Sequence, residues 1–293
     1  MNIIKNRRIF IALSLIVIAI GLGFMFYNKT NDKGFFNYDI QFTGGTSIEV
    51  NLGKEFENKE FSDLYKEILG IENTQIQKIG NGTSVTIKTR SLTQDERIKI
   101  TDAISKKYSL TDADFSVRDI SATISNEMKK TSFLAVILSC IAMLLYVSFR
   151  FRDFKIGASS IIALIHDALI VLSFYAIFRI PLNEAFIAAI LTVLGYSINA
   201  TIIIFDRMRE NKARNSLRDN QELINSAIQQ SFRRSLFTSL TTFFTIIGLY
   251  IFGVESVKIF ALPIAIGIVC GTYSSLCIAG SIWYIISNKG KKA

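Results

Sequence analysis

The sequence is poor in charge, proline, histidine and cysteine. Its 293 residues include two prolines, one histidine and three cysteines, and 19% of them are charged, where a soluble domain carries about 25%. The three cysteines, Cys140, Cys270 and Cys277, lie inside apolar runs, which excludes a disulfide-stabilised secreted scaffold. No Cys/His cluster has metal-ligand spacing, so we predict neither a metal nor another cofactor. A hydrophobic content of 50% excludes a disordered chain.

The apolar residues are concentrated in six runs, each close to the length of about 20 residues that a membrane span needs. We therefore predict a polytopic α-helical membrane protein whose six transmembrane helices are residues 9–27, 131–149, 156–178, 185–205, 235–252 and 259–286. The last run is longer than one crossing, so part of it is expected to tilt or to lie at the interface. The first run could instead be a signal peptide, but its length and the lack of an A-x-A site favour an uncleaved anchor.

Charge is distributed unequally between the two sets of loops. Residues 1–8, 150–155, 206–234 and 287–293 together hold 16 basic and five acidic side chains, whereas residues 28–130 hold 15 basic and 16 acidic ones. By the positive-inside rule, both termini and the 206–234 loop are cytoplasmic and residues 28–130 are extracytoplasmic. The net charge of +9 is thus a topology signal, and nucleic acid is not predicted as a partner.

Residues 28–130 have the pattern of an α+β domain. Alternating strands are predicted at 46–52, 74–79, 83–89 and 114–120, with an Asn81-Gly82 hairpin turn between the second and third. Helices are predicted over 59–69 and from a capping box at Thr93–Glu96 to about Tyr108. The order βαββαβ is that of a ferredoxin-like fold. This domain has no histidine, no cysteine and no visible catalytic pair, so we expect it to contact another molecule.

Ionisable groups at bilayer depth are rare here, and such groups are functional candidates. His166 is the only histidine, and its neighbour Asp167 is the only acid deep in a span. The pair either carries an ion or a proton, or is a hydrogen-bonded pair that holds the bundle together.

Small and polar residues form stripes along the later spans. A stripe with Gly195 and Asn199 on span four and one with Arg234 and Thr238 on span five are expected to face protein. On span six, Gly267 and Gly271 begin a small-residue ridge for close helix packing. Residues 219–232 are predicted to form a separate amphipathic helix on the inner membrane surface.

Gly44 and Gly45, just before the first predicted strand, indicate either an ordinary β-turn or a backbone conformation that requires positive φ or close approach.

Several motifs occur together with this arrangement of one span, a large external domain and five further spans. They are Phe42-Thr43-Gly44-Gly45-Thr46, His166-Asp167, Gly195-Tyr196-Ser197-Ile198-Asn199, Phe205-Asp206-Arg207-Met208-Arg209-Glu210-Asn211, and Arg234 before Thr238-Ser239-Leu240-Thr241-Thr242. In this combination the chain resembles the SecD/SecF family, auxiliary subunits of the bacterial Sec translocase that are similar to resistance-nodulation-division transporters. The likeness covers nearly the whole chain, and residues 195–211 are its most specific part.

The resemblance implies a function in the bacterial cytoplasmic membrane. Family members pair with SecD, act on the Sec channel (SecYEG) and use the proton gradient, or a sodium gradient, to complete polypeptide export. Their external domains are thought to contact the emerging polypeptide. The further partner would be membrane lipid, and no catalytic chemistry is implied. The candidate residues for the ion path and coupling are His166, Asp167, Asn199, Thr201, Arg234 and Thr238, and the candidate structural glycines are Gly44, Gly45, Gly195, Gly267 and Gly271.

The chain departs from the family pattern at Ala200. The pattern has an aspartate after the asparagine that matches Asn199, and that aspartate is usually assigned to the ion path. Here Asp167 is the only deep acid. Three alternatives follow: Asp167 carries the coupling ion, a carboxylate of SecD carries it, or this subunit is mainly structural.

Two other classes of function would make different demands on the chain. A half-size exporter of the resistance-nodulation-division type, for small molecules or lipids, would need a second copy or a partner to complete the transporter. An intramembrane hydrolase would need paired aspartates, a Ser/His pair or H-E-x-x-H, and the sequence has no such motif.

The predicted orientation can be tested by cysteine labelling. In a cysteine-free variant of the chain, we expect Asn81→Cys to react with a membrane-impermeant maleimide in intact cells and Asn215→Cys to react only after permeabilisation, because the basic loops are retained in the cytoplasm. Labelling of both positions from the same side would contradict this topology.

Overall fold

The computed structural model describes residues 2–31, 34–54, 56–71, 74–79, 83–214 and 219–289. Its α-helices are α1 Arg7–Thr30, α2 Ile40–Thr43, α3 Asn58–Leu69, α4 Gln94–Tyr108, α5 Ala122–Phe151, α6 Phe154–Phe178, α7 Glu184–Arg214, α8 Asn220–Phe252, α9 Glu255–Tyr273 and α10 Gly280–Lys289. Its strands are β1 Asn37–Tyr38, β2 Gly45–Asn51, β3 Gln75–Ile79, β4 Ser84–Thr89, β5 Phe115–Ile120 and β6 Pro181–Leu182. A 3₁₀ turn, Asp112–Asp114, precedes β5, and a π-helical segment, Ser274–Ala279, joins α9 to α10.

The chain divides into two compact units. One comprises residues 1–37 and 132–293, and the other comprises residues 38–131.

The smaller unit contains a four-stranded antiparallel sheet. The strand order is β3-β4-β2-β5, and in the central pair Ile48 lies opposite Ile87. Strands and helices follow one another as β2-α3-β3-β4-α4-β5, and their ends agree with the sequence prediction to within a residue. The core lies between the sheet and the helices α3 and α4, where Phe61 and Ile100 are fully buried.

One local prediction in this unit is confirmed, and the backbone decides between two alternatives at another position. The capping box is present, since the backbone N–H of Glu96 donates to Thr93 Oγ1 and that of Thr93 to the Glu96 carboxylate. Gly44 and Gly45 both have positive φ, +73° and +132°. A Cβ at Gly45 would collide with the carbonyl oxygen of Thr89, so this position needs glycine for space as well as for φ. The predicted turn at Asn81-Gly82, like Asn215, lies outside the described residues.

Within the described ranges, six helical stretches are long and apolar enough to cross a membrane. They are Arg7–Thr30, Ala122–Phe151, Phe154–Phe178, Glu184–Arg214, Asn220–Phe252 and Ser256–Asn288. The helices are longer than the predicted spans because further residues, many of them polar, continue each helix at one end or at both. In the third, fourth and sixth stretches, at least half of the residues in the apolar 18-residue segment are buried inside the protein. In the other three stretches the buried share is 6–11%. The third, fourth and sixth therefore form the centre of the bundle.

The separate amphipathic helix predicted over 219–232 is not observed. Residues 220–252 form one continuous helix, α8, because the sequence has no glycine or proline between the predicted amphipathic segment and the span. The apolar face of its first turns, with Leu223 and Ile224, is buried in the core cluster that also contains Ile4 and Trp283. This face therefore packs on protein and not on a membrane surface.

The sixth stretch differs from the single long span of the sequence analysis. It consists of α9, the π-helical segment and α10, and all six residues of the π-helical segment are buried. The residues in excess of one membrane crossing therefore lie inside the bundle. There the π-helical segment continues the helix and accommodates additional residues.

Acid should destabilise the smaller unit partly through Glu96. Arg90 donates hydrogen bonds of 2.6 and 3.1 Å to its carboxylate and the Thr93 N–H donates one of 2.8 Å, which lowers the pKa of Glu96 to about 2. The pKa of an unfolded glutamate is about 4.3. The stabilisation from Glu96 is therefore complete above that value and is lost as the pH falls towards 2.

Residues 38–131 expressed alone should fold and show this dependence. In urea unfolding, the loss of stability between pH 7 and pH 3 should be smaller in Glu96→Gln than in the wild type, whereas Glu67→Gln, on an exposed position of α3, should behave as the wild type. An unfolded isolated domain, or the same acid response in all three proteins, would contradict this account.

Candidate functional site

A buried acid lies at the centre of the larger unit. Asp167 is in the middle of α6, and its exposed fraction is 0%. The neighbouring helices α7 and α9 pack on this part of α6, so the carboxylate is enclosed by protein from several sides. A carboxylate removed from water is unfavourable unless hydrogen bonds or a counter-charge compensate it.

Three side chains contact the Asp167 carboxylate. Nδ1 of His166 lies 3.0 Å from Oδ1, Ser197 Oγ donates to Oδ2 over 2.6 Å, and Ser274 Oγ donates to Oδ2 over 2.8 Å. The two serines come from α7 and from the first residue of the π-helical segment. The acid therefore links three elements, and a change in its protonation alters hydrogen bonds to each of them.

His166 has one satisfied and one free ring nitrogen. Its Nε2 is buried and has no hydrogen-bond partner among the described residues. The imidazole stacks on Tyr273, with ring centroids 6.3 Å apart and planes 28° apart. The Tyr273 hydroxyl in turn donates to the carbonyl of Phe10 on α1 over 2.8 Å. The unpartnered nitrogen leaves one position on the imidazole where a proton or a water molecule can bind.

A second layer of hydroxyl groups surrounds this centre. Thr201 Oγ1 lies 2.9 Å from Ser275 Oγ, and Ser275 Oγ is 3.3 Å from the carbonyl of Ser197. Thr201, Ser274 and Ser275 are all at most 1% exposed. The network therefore joins α7 to the π-helical segment, and π-helical turns occur frequently at functional sites.

The structure separates the predicted ion-path residues into two groups. His166, Asp167 and Thr201 belong to the buried polar network. Asn199, Arg234 and Thr238 are exposed in this chain and make no contact with Asp167 in the part of the chain that the structure describes. Ala200 is buried and supplies no polar group.

The exposed group lies along two polar stripes. On α7 the stripe contains Thr192, Gly195 and Asn199, and on α8 it contains Arg234, Thr238, Thr241 and Thr245. The Tyr196 hydroxyl connects the helices, 3.1 Å from the carbonyl of Thr238 and 3.3 Å from Thr242 Oγ1. Since exposing arginine and asparagine to lipid is unfavourable, this face is suited to contact with another protein.

Sequence reasoning missed three members of the centre. The predicted motif 195–199 includes Ser197 without giving it a role, and neither Ser274 nor Ser275 is among the predicted site residues. A pair of adjacent serines in an otherwise apolar span was a signal for them, because small hydroxyl side chains are typical helix-to-helix hydrogen-bond donors in membranes.

The predicted glycine ridge lies where helices approach closely. A Cβ at Gly267 would collide with the side chain of Val193, and one at Gly271 would lie 2.9 Å from Ser197 Cβ. Gly271 thus allows α9 to approach the serine that donates to Asp167. Gly195, on the exposed stripe of α7, has no heavy atom within 4 Å of its Cβ position.

Comparison with known proteins identifies relatives along most of the chain. The family model for the C-terminal part of the protein export membrane proteins SecD/SecF matches residues 100–289. The protein translocase subunit SecF of Helicobacter pylori is 34% identical over 275 residues, which are 93% of this chain and 83% of that protein. The protein translocase subunit SecF of Petrotoga mobilis is 32% identical over 303 residues, 99% of this chain and 97% of that protein.

Larger proteins are also similar. The crystal structure of SecDF from Thermus thermophilus, described as a translocon-associated membrane protein, matches 99% of this chain with a TM-score of 0.87 and 30% identity. The protein translocase subunit SecDF of Bacillus subtilis is 32% identical over 84% of this chain. The chain spans 39% of the former and 34% of the latter.

The glycine contacts can be tested by thermal unfolding of the full chain in detergent. Gly267→Ala should lower the free energy of unfolding by about 1–3 kcal/mol, the usual cost of overpacking, because its methyl group meets Val193. Gly195→Ala, in open space on a neighbouring helix, should be neutral or slightly stabilising. Equal effects of the two substitutions would show that α9 and α7 do not pack as closely as described.

Proposed function

The chain belongs to the SecD/SecF family of protein-export membrane proteins, and on that premise we propose that it is a Sec translocase subunit that couples an ion gradient to polypeptide export. With SecD, it uses the transmembrane proton or sodium gradient to complete export across the bacterial cytoplasmic membrane. It has no catalytic chemistry of its own. The observation that carries the proposal is the buried Asp167 centre, which places one acid between three elements of the bundle.

Coupling requires that the ion interacts differently with two packings of the bundle. When Asp167 is ionised, it accepts hydrogen bonds from Ser197 and Ser274 at one oxygen. A protonated carboxyl becomes a donor itself and can no longer accept both equally. The relative position of α7 and the π-helical segment therefore depends on the proton. A sodium ion at the same oxygens would compete with the serine hydroxyls in a similar way.

SecD is the proposed partner of the exposed polar face. Two SecDF relatives join a region similar to this chain to a longer one, which supports an association between the two parts. Asn199, Arg234 and Thr238 lie on this face, where a helix of SecD would remove them from lipid. A carboxylate of SecD facing Arg234 would also compensate for the absence of an acid at Ala200.

The smaller unit is proposed to contact the polypeptide as it leaves the Sec channel (SecYEG). Its strand order and the sequence β2-α3-β3-β4-α4-β5 support a ferredoxin-like fold. We place this unit outside the cell and both chain termini in the cytoplasm, since the basic loops are expected to remain inside.

The coupling proposal predicts unequal effects of two substitutions. Asp167→Asn should impair gradient-dependent export more than Asn199→Ala, because the amide keeps the shape of the side chain but has no proton to exchange. Release of an export substrate from vesicles energised by a pH gradient, with SecD and the Sec channel present, measures this. A loss of at least tenfold is expected if proton exchange at Asp167 is required, about 1.4 kcal/mol on the barrier.

A matched control separates chemistry from packing. Ser274→Ala removes one hydrogen bond to the same carboxylate and leaves the acid in place, so it should reduce export less than Asp167→Asn at equal protein level. Wild-type export rates for Asp167→Asn would indicate that the ion path lies in SecD and that this chain is a scaffold. Losses of equal size in both variants would favour the alternative of a purely structural polar pair.

A further inference from the structure

A polar cavity lies at the end of the bundle that carries the basic loops. It has a volume of about 330 Å³ and lies between the end of α5, the second half of α7 and α8. Its charged lining comprises Arg150, Asp206, Arg207, Arg209, Glu210 and Arg234. Four guanidinium groups against two carboxylates leave an excess of positive charge, and this cavity has no part in the Asp167 centre.

Two of the arginines are held in place but retain free donors. The guanidinium carbons of Arg150 and Arg209 lie 5.5 and 5.6 Å from the ring centroid of Phe151, so the two groups share one aromatic side chain. Their contacts with Asp206 Oδ1 are 3.3 and 3.4 Å, which is long for a charge-assisted hydrogen bond. Arg207, by contrast, pairs closely with Glu210 at 2.7 Å.

A buried hydroxyl also lines the cavity. Ser231 on α8 is 3% exposed, and its Oγ has no hydrogen-bond partner among the residues that the structure describes. Asp206 Oδ1, which is an acceptor, is also buried, and its contacts are the two arginine groups at 3.3 and 3.4 Å. A buried donor without a partner is unfavourable, so a ligand with acceptor oxygens would satisfy Ser231 as well as the arginines.

We propose that this cavity binds the phosphate headgroup of an anionic phospholipid in the leaflet on the side of the basic loops. Phosphate oxygens are the acceptors that guanidinium groups bind best, and basic cavities between membrane helices are typical sites for anionic headgroups. The surroundings favour a lipid over free phosphate. Ile203 lines the cavity, and the neighbouring sequence provides apolar surface for acyl chains. Phe149, next to Arg150, is 86% exposed, and Phe237, three residues after Arg234, is 61% exposed.

This inference rests on the proposed function, because the orientation proposed there puts the cavity at the cytoplasmic leaflet. Arg234 lines both the cavity and the polar face assigned to SecD. A bound headgroup would therefore lie beside that interface.

The experiment is native mass spectrometry of the full chain, purified in detergent, with phosphatidylglycerol, phosphatidylcholine or inorganic phosphate added. The wild type should retain phosphatidylglycerol in preference to phosphatidylcholine, and inorganic phosphate should not displace it. Arg150→Gln with Arg209→Gln should weaken phosphatidylglycerol binding roughly tenfold. The matched control, Arg152→Gln with Arg233→Gln, removes the same charge from exposed positions outside the cavity and should bind within about twofold of wild type.

Each other outcome overturns the proposal. Equal retention of the two lipids excludes an anionic headgroup site, and displacement by inorganic phosphate assigns the cavity to free phosphate. Equal losses in the two double variants assign the binding to general surface charge. If the cavity variant fails to fold, Ser231→Ala replaces it: this variant keeps every charge, and unchanged lipid affinity would contradict a headgroup bound in this cavity. The measurement needs no SecD and no export, so its result is independent of the coupling test.

Discussion

The absence of water in a bilayer governs this structure: every polar group within the spans must find its partner in protein. Asp167 shows how the constraint is met inside one chain. Its carboxylate is fully buried, and one oxygen accepts hydrogen bonds from serines of α7 and the π-helical segment. The other oxygen contacts Nδ1 of the neighbouring His166. Because an uncompensated carboxylate at this depth would be strongly unfavourable, the three elements around it are constrained to stay together.

The same constraint is left unmet on the outside of α7 and α8. Asn199, Arg234 and Thr238 are exposed there, although they lie within helices long enough to span the membrane. A chain that surrounds its buried acid with three hydrogen-bonding side chains and leaves these polar residues exposed is best explained as one part of a larger helical assembly. The SecDF relatives, in which a similar region is part of a longer chain, are consistent with this interpretation.

Periodicity and helix capping predicted the strands and helices of the smaller unit almost to the residue, since the strands alternate and α4 begins with a capping box. In the bundle, the apolar runs predicted which residues are helical but not how the helices continue. The first turns of α8 have an amphipathic pattern that fits a membrane surface and a protein core equally well. Only the tertiary packing, which places these turns in the same cluster as Ile4, shows that their apolar face is buried in protein. The partners Ser197 and Ser274 of Asp167 are likewise set by packing, because they are 30 and 107 residues away in sequence.

The energy scale of the Asp167 centre matches what an ion gradient can supply. Moving one proton across 100 mV releases about 2.3 kcal/mol, and a typical hydrogen bond contributes a net 0.5–1.5 kcal/mol or about twice that when charged. Exchanging one of the two serine contacts of the carboxylate is therefore within reach of a single proton, whereas rupture of the apolar core around Val193 and Gly267 is not. The proposed coupling step at this centre would therefore be a small rearrangement along existing helix contacts. The π-helical segment begins at Ser274, which donates to the acid. Because π-helical turns occur frequently at functional sites, this segment is the element in which we expect such a rearrangement.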